Sequence, residues 1–239
     1  MHGSIQANAA LLDGLLAGLS DVSSEVLVCV PYPYLAQVSA KVQHSRLVLG
    51  AQNVSEHEAG AYTGEVAAAM LAEFGCAYVI VGHSERRELF GETDRIVAMK
   101  CAAVLAAGMS PVLCVGESLA ERDAGQTKAV VSRQLSVVLD YLGVAGFAKM
   151  VVAYEPVWAI GTGLTAMPSQ AQEVHAAIRA QVAALDPGVA EYLRILYGGS
   201  VKPQGAAELF AQADIDGGLV GGAALVAEDF LAICRAANS

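Results

Sequence analysis

The sequence predicts an α/β protein built on a parallel sheet, and three observations carry that expectation. Short, near-continuous apolar runs alternate with longer segments at helical spacing. None of the runs shows the polar–apolar alternation of a strand with one wet face, so they fit strands buried on both sides. Most are followed at once by glycine, proline or a polar residue, where a strand hands over to a functional loop. Repeated strand–helix units imply right-handed crossovers and a parallel sheet, closed as a barrel or open and doubly wound. No Gly-x-Gly-x-x-Gly follows the first strand, which weighs against the dinucleotide-binding form of the open sheet.

In chain order, the first helix is expected over 5–19. Ile5, Ala9, Leu12, Leu16 and Leu19 form its 3.6-period stripe, with Ser4 as N-cap. Strand Val26–Val30 runs through Pro31 into a helix over 33–43, and strand Leu47–Gly50 precedes the polar segment 53–64 and a helix over 65–74. Strand Tyr78–Val81 ends at Gly82-His83, with a helix over 93–107; strand Val112–Val115 ends at Gly116-Glu117, with a helix over 127–142. Strand Met150–Tyr154 ends at Glu155-Pro156. The helix over 168–185 opens with Pro168 in its first turn and stops before Asp186-Pro187-Gly188, both good boundary signals. Strands Leu193–Tyr197 and Gly218–Val220 run into paired glycines, before helices over 203–212 and 226–236. The count is seven strands and eight helices, and the strand that would precede the first helix is missing.

A chain of 239 residues is most economically one domain, 1–239. It is 55% apolar with a mean hydropathy of +0.47, yet its longest charge-free apolar stretch, Cys101 to Gly116, is broken by Gly108 and Pro111. A membrane span is not expected, nor a secretory signal, since no basic segment leads into an apolar one at the start. The five cysteines have wide, irregular spacing without a Cys-x-x-Cys pair, and read as free thiols in a reducing cytosol. A net charge of −10 argues against nucleic acid or an anionic membrane as partner. His2, His44, His57 and His175 have no spacing that pairs them as ligands, so no metal site is expected, and His175 reads as a surface residue.

Three places carry chemistry. The run 151–163 delivers Glu155 to a strand end and then breaks into a loop with Trp158, Gly161 and Gly163. A carboxylate there has the position of a catalytic base at a barrel mouth, although alone it is no more than the first solvated residue after a buried strand. His83 lies just past a strand end at the start of a polar, helical turn. A helix N-terminus disfavours imidazolium, so the expected ring is neutral and able to donate to a carbonyl oxygen. Tyr197-Gly198-Gly199-Ser200-Val201 and Gly217 to Ala223 end the last two strands in glycine, which lets backbone N–H groups approach an oxyanion, with a helix beginning after Gly222 adding its dipole. Glu85, Arg86, Arg87 and Glu92 offer either an ion-pair network under the histidine loop or a solvated face, and Trp158 either a lid anchor or core.

The strings Ala-Tyr-Glu-Pro-Val-Trp-Ala-Ile-Gly-Thr-Gly at 153–163, Val-Gly-His-Ser-Glu-Arg-Arg at 81–87 and Tyr-Gly-Gly-Ser-Val at 197–201 resemble the triosephosphate isomerase family. So do residues 50–53, 60–65 and 111–117, in order and essentially from end to end. The resemblance implies a (β/α)8 TIM barrel, here without its first strand. It implies interconversion of dihydroxyacetone phosphate and D-glyceraldehyde 3-phosphate through an enediolate, without cofactor, in cytoplasmic glycolysis and gluconeogenesis. It also implies Glu155 as the base, His83 as the electrophile, and Ser84 and Glu117 as supporting residues. Gly161, Ser200, Gly221 and Gly222 would hold the phosphate, 156–166 would be a lid that excludes water, and 53–64 a homodimer loop with Thr63 near its tip.

Competing expectations are another sugar-phosphate isomerase or epimerase, and an impaired barrel kept as a phosphate-binding or interaction module. The sequence departs from the family twice. The family's first strand, ending Asn-x-Lys, would precede Met1, so Met1 is expected to be an internal methionine with about a dozen residues upstream, and residues 1–239 alone are expected to fold poorly and turn over slowly. The lid's second hinge reads Leu164-Thr165-Ala166 where the family has Lys-Thr-Ala, which bears on loop kinetics.

Overall fold

A computed structural model describes residues 1–160 and 166–238. Its seven strands are β1 (Val26–Val30), β2 (Leu47–Ala51), β3 (Tyr78–Val81), β4 (Ser110–Val115), β5 (Val151–Tyr154), β6 (Arg194–Tyr197) and β7 (Gly217–Gly218). All neighbours pair in parallel and spatial order equals chain order, so every crossover moves one place along the sheet. The sheet curls. Glu25, just before β1, is joined to Arg194, the first residue of β6, at 2.5 Å. Five strand spacings of ~4.8 Å would hold them roughly 24 Å apart in a flat sheet.

The curl gives the strands two buried faces. Tyr78, Ile80, Val112, Cys114, Val151 and Ala153 meet inside the barrel, while Val79, Val81, Leu113, Val115, Val152 and Ile195 point outward into the larger core under the helices. That two-sided burial explains the continuous apolar runs, and each fully buried aliphatic side chain contributes ~1.5–3 kcal/mol.

The described residues form twelve α-helices, not the eight expected: α1 (Ile5–Gly18), α2 (Leu35–Val42), α3 (Ala68–Glu73), α4 (Ser84–Leu89), α5 (Asp94–Ala106), α6 (Leu119–Asp123), α7 (Thr127–Leu142), α8 (Val144–Phe147), α9 (Pro168–Ala183), α10 (Pro187–Tyr192), α11 (Pro203–Phe210) and α12 (Ala227–Ala236). The eight expected ones are all present. The additional α4, α6, α8 and α10 have four to six residues each, too short for a 3.6-residue repeat to show. Asp186-Pro187, read as a stop, also starts α10, where the Asp186 side chain accepts from the Gly188 and Val189 amides.

Ser4 caps α1 as expected, accepting from Ala7 N at 3.1 Å, but the buried stripe is Leu12, Leu15 and Leu19, and Ile5 is exposed. The last strand is shorter and earlier than expected. Gly217 and Gly218 pair with β6, and Leu219 adds one more bond to Tyr197 O before the chain turns away. His175 corrects the sequence reading outright: it is fully buried on α9, edge-on to Tyr154 at 5.8 Å, because α9 turns this face to the barrel. Among the described residues, no helix is long and apolar enough to cross a membrane.

Candidate active site

β3 delivers His83 through Gly82, whose φ of +71° turns the chain sharply. A Cβ there would press on Val97 at 2.9 Å and on the Arg87 guanidinium at 3.1 Å, so the position requires glycine. His83 then becomes the N-cap of α4, and its Nδ1 accepts from the Glu85 backbone N–H at 3.3 Å. An accepting Nδ1 carries no proton, so the proton of the neutral ring sits on Nε2, which points at Glu155 Oε1 2.9 Å away.

β5 delivers Glu155. Its backbone N–H donates to Val115 O at 2.7 Å, and only 1% of the residue is exposed. Oε2 accepts from Ser84 N at 2.9 Å, while Oε1 receives the imidazole and, at 3.4 Å, the Ser84 hydroxyl. The sequence singled out Glu155 and His83 separately and the family resemblance added Ser84, and the fold brings the three together at the C-terminal ends of β3 and β5, the strands on either side of β4.

Burial pushes the His83 pKa down. The hydrogen bond and charge of Glu155, with a smaller contribution from Glu85, push it up and prevail. The neutral ring expected at a helix terminus is thus opposed, while Glu155 stays in place, by the adjacent carboxylate. Burial, and then Glu155 itself, hold the Cys114 thiol well above its ordinary pKa, so it remains uncharged.

Glu117 is a fully buried carboxylate past the end of β4. Oε1 accepts from Trp158 Nε1 at 3.0 Å, Thr127 Oγ1 at 3.3 Å and Arg122 Nη1 at 3.4 Å, and both oxygens accept from the Tyr154 hydroxyl at 3.1 Å. Its carbonyl also takes the Val157 N–H at 3.1 Å. Trp158 is thus held by Glu117 and also packs against the main core, with the Arg122 guanidinium 4.2 Å over its ring.

The strand register places the remaining candidates. Tyr154 pairs with Tyr197 and Tyr197 with Gly218, so Glu155, Gly198 and Leu219 leave the barrel side by side. Ser200 follows Gly198 closely, and Gly221 and Gly222 follow Leu219. Both of those glycines are exposed and have open space where a Cβ would stand. The helix expected after Gly222 is a four-residue 3-10 turn, Gly222–Leu225, and α12 begins only at Ala227. Gly161 and Leu164 lie outside the described residues, so the segment expected to be a lid is described only at 156–160 and 166.

Sequence reasoning named Gly116 and Gly198 but missed their part at the site, where their missing side chains make room for Glu155. It named Glu92 for the arginine pair but missed Lys100, Asn53 and Asp94. Arg86 reaches Glu92 at 2.5 Å, as does Lys100, which in turn donates to Asn53 at 2.9 Å. Arg87 reaches Asp94 at 2.6 Å. The ion-pair network therefore exists, built on Lys100 and Asp94. Glu85, by contrast, has a side chain 72% exposed, and among the described residues its one ion-pair contact is with His83, at 3.9 Å. Among the described residues, no group of three His, Cys, Asp or Glu is placed to hold a metal ion.

The family model for triosephosphate isomerase matches residues 1–237. The chain is 70% identical to the triosephosphate isomerase of Dechloromonas aromatica over 238 residues, which is 100% of this chain and 96% of that protein. It is 62% identical to that of Thiobacillus denitrificans over 237 residues, 99% and 95% of the two chains. With that of Cupriavidus taiwanensis the identity is 60% over 236 residues, 99% and 96% of the two.

Proposed function

The chain belongs to the triosephosphate isomerase family and is an isomerase of triose phosphates, and from that premise we propose how its residues interconvert dihydroxyacetone phosphate and D-glyceraldehyde 3-phosphate. Glu155 takes the proton from the carbon beside the substrate carbonyl and returns it to the neighbouring carbon. His83 donates through Nε2–H to the carbonyl oxygen as that oxygen gains charge, giving an enediolate. The observation that carries the reading is the 2.9 Å contact between Nε2 and Glu155 Oε1. It aims the imidazole proton at the point a substrate oxygen would take once the carboxylate moves toward carbon.

Glu155 in the described state is engaged by Ser84 and His83, and must exchange those donors for substrate. The exchange removes the chief upward influence on the His83 pKa, which favours the neutral ring as it starts to donate. A positioned base contributes ~10²–10⁴-fold, and a donor aimed at the developing oxyanion ~10²–10³-fold. Ser200, Gly221 and Gly222 hold the phosphate, for which the open space at the two glycines leaves room. Glu117 fixes the first hinge of the lid through Trp158 and Val157 N.

The setting is cytoplasmic glycolysis and gluconeogenesis, and the working form is a homodimer through 53–64. The half-exposed Tyr62, stacked on His57 at 3.8 Å, supports that surface; sedimentation at twice the chain mass is expected, and a strict monomer would remove the dimer. The chemistry is tested by turning over glyceraldehyde 3-phosphate in D2O without added cofactor or metal. Product carrying deuterium on carbon is expected. Turnover that depends on an added cofactor, or a failure to form dihydroxyacetone phosphate, would overturn the reading.

A further inference from the structure

We propose that Arg87 is a positioning residue of this reaction, whose guanidinium sets the spacing of His83 and Glu155 by tying the end of β3, which carries His83, to β4, the strand that pairs with the one carrying Glu155; this rests on the roles given above to those two residues. Three donors of one planar group are used. Nε donates to Gly82 O at 2.8 Å, Nη2 to Cys114 O at 3.1 Å and Nη1 to Asp94 Oδ1 at 2.6 Å. Gly82 is the residue before His83. The backbone N–H of Arg87 also holds His83 O, at 3.1 Å, so the same residue grips the histidine loop twice. On the other side, Cys114 precedes Val115, whose carbonyl accepts the Glu155 N–H at 2.7 Å.

The contacts therefore close a ring. It runs from His83 through Gly82 O, Arg87, Cys114 O and Val115 O to the backbone of Glu155, and returns through the 2.9 Å imidazole–carboxylate contact. Every link except the last is made to backbone, so the separation of the two side chains is fixed before substrate arrives. The Arg87 and Asp94 side chains are 16% and 13% exposed, which keeps water from replacing the clamp. A lysine ammonium has no planar fork and cannot bridge the two carbonyls while meeting the carboxylate. Arg86 turns instead to Glu92. Arg133 also binds Asp94 but touches neither strand end in the hydrogen bonds of the described residues, which makes it the natural control.

The test compares R87K, D94N and R133A with the unaltered chain, alongside E155Q and H83Q. The measurements are kcat and KM for triose phosphate isomerisation, the inhibition constant of inorganic phosphate and the thermal midpoint. Since a misplacement of about 1 Å costs on the order of 10²-fold in rate, R87K should lose roughly ten- to a hundredfold in kcat. KM and the phosphate constant should stay within about twofold, because the phosphate donors lie on other strands. D94N should fall between, and R133A should match the parent. A folded R87K with kcat within about twofold, or one whose phosphate constant weakens as much as kcat falls, overturns the proposal. If R87K does not fold, D94N against R133A decides it: a fall in D94N alone supports the clamp, and equal behaviour overturns it. Full turnover in E155Q and H83Q would instead remove the underlying assignment.

Discussion

A Cβ on Gly116 would stand 1.7 Å from the carbonyl oxygen of Glu155. On the other side, a Cβ on Gly198 would lie 2.9 Å from Glu155 Cγ. The two glycines belong to the neighbouring strand ends, so the proposed base sits in a slot that exists because its neighbours lack side chains. Gly116→Ala must move backbone, since the atom it strikes is main chain and cannot rotate away. We expect at least about a tenfold loss of kcat, on the scale of a displaced reacting group, together with a lower Tm. Unchanged kcat and Tm would show that the slot is looser than its geometry.

His83 titrates under the influence of Glu155. Burial lowers its pKa, but the hydrogen bond and charge of that carboxylate raise it further. A raised histidine pKa stabilises the folded chain fully below the unfolded value of about 6.5, and that contribution is lost as pH rises through the folded value. In Glu155→Gln both of the carboxylate's upward influences disappear. An NMR titration of the imidazole nitrogens should show the pKa falling in the variant, and an unchanged or higher value would contradict the pairing.

His175 gives the opposite sign. Burial pushes its pKa down to about 4 against weaker upward influences, the first from the Asp214 backbone. A carbonyl only accepts, so Nδ1 carries the proton that meets Asp214 O at 3.0 Å, and the buried Nε2 has no hydrogen-bond partner among the described residues. The unfolded chain takes up this proton near pH 6.5 and the folded one only near 4. The stability is therefore complete above the unfolded value and lost as pH falls through that window, about 3 kcal/mol at ~1.4 kcal/mol per unit. His175→Gln should be less dependent on pH between those values in urea unfolding. A parallel pH dependence in both proteins would place the acid sensitivity elsewhere.

Much of this was legible in the sequence because two-sided burial writes itself into strands as continuous apolar runs, and all seven were found near their places. Glu155 and His83 stood out as candidates because each follows a strand end, whereas Ser84 entered only through the family resemblance. What stayed hidden has physical reasons. Helices as short as α4 and α6 show no periodicity. His175 is polar in type yet buried, because a neutral ring with a carbonyl partner tolerates the interior, and the letter alone does not reveal the partner. Gly116 and Gly198 looked like ordinary strand-end glycines, since their reason is the main chain and side chain of Glu155, brought up from another strand. Arg87 and Glu117 were named from the sequence, but the Cys114 carbonyl that meets the one and the Tyr154 and Trp158 donors that meet the other come from distant parts of the chain.

The central claim is that the Glu155 carboxylate moves the proton, and single-turnover and steady-state kinetics of Glu155→Gln test it most directly. The amide keeps the size of the side chain and a carbonyl oxygen that can still accept from Ser84, so the fold and the phosphate donors should stay in place while the base is gone. The account predicts a loss of several decades in kcat, with KM and the inhibition constant of inorganic phosphate close to those of the unaltered chain. Retention of more than about a tenth of the parent turnover, less than ~1.4 kcal/mol on the barrier, would contradict it.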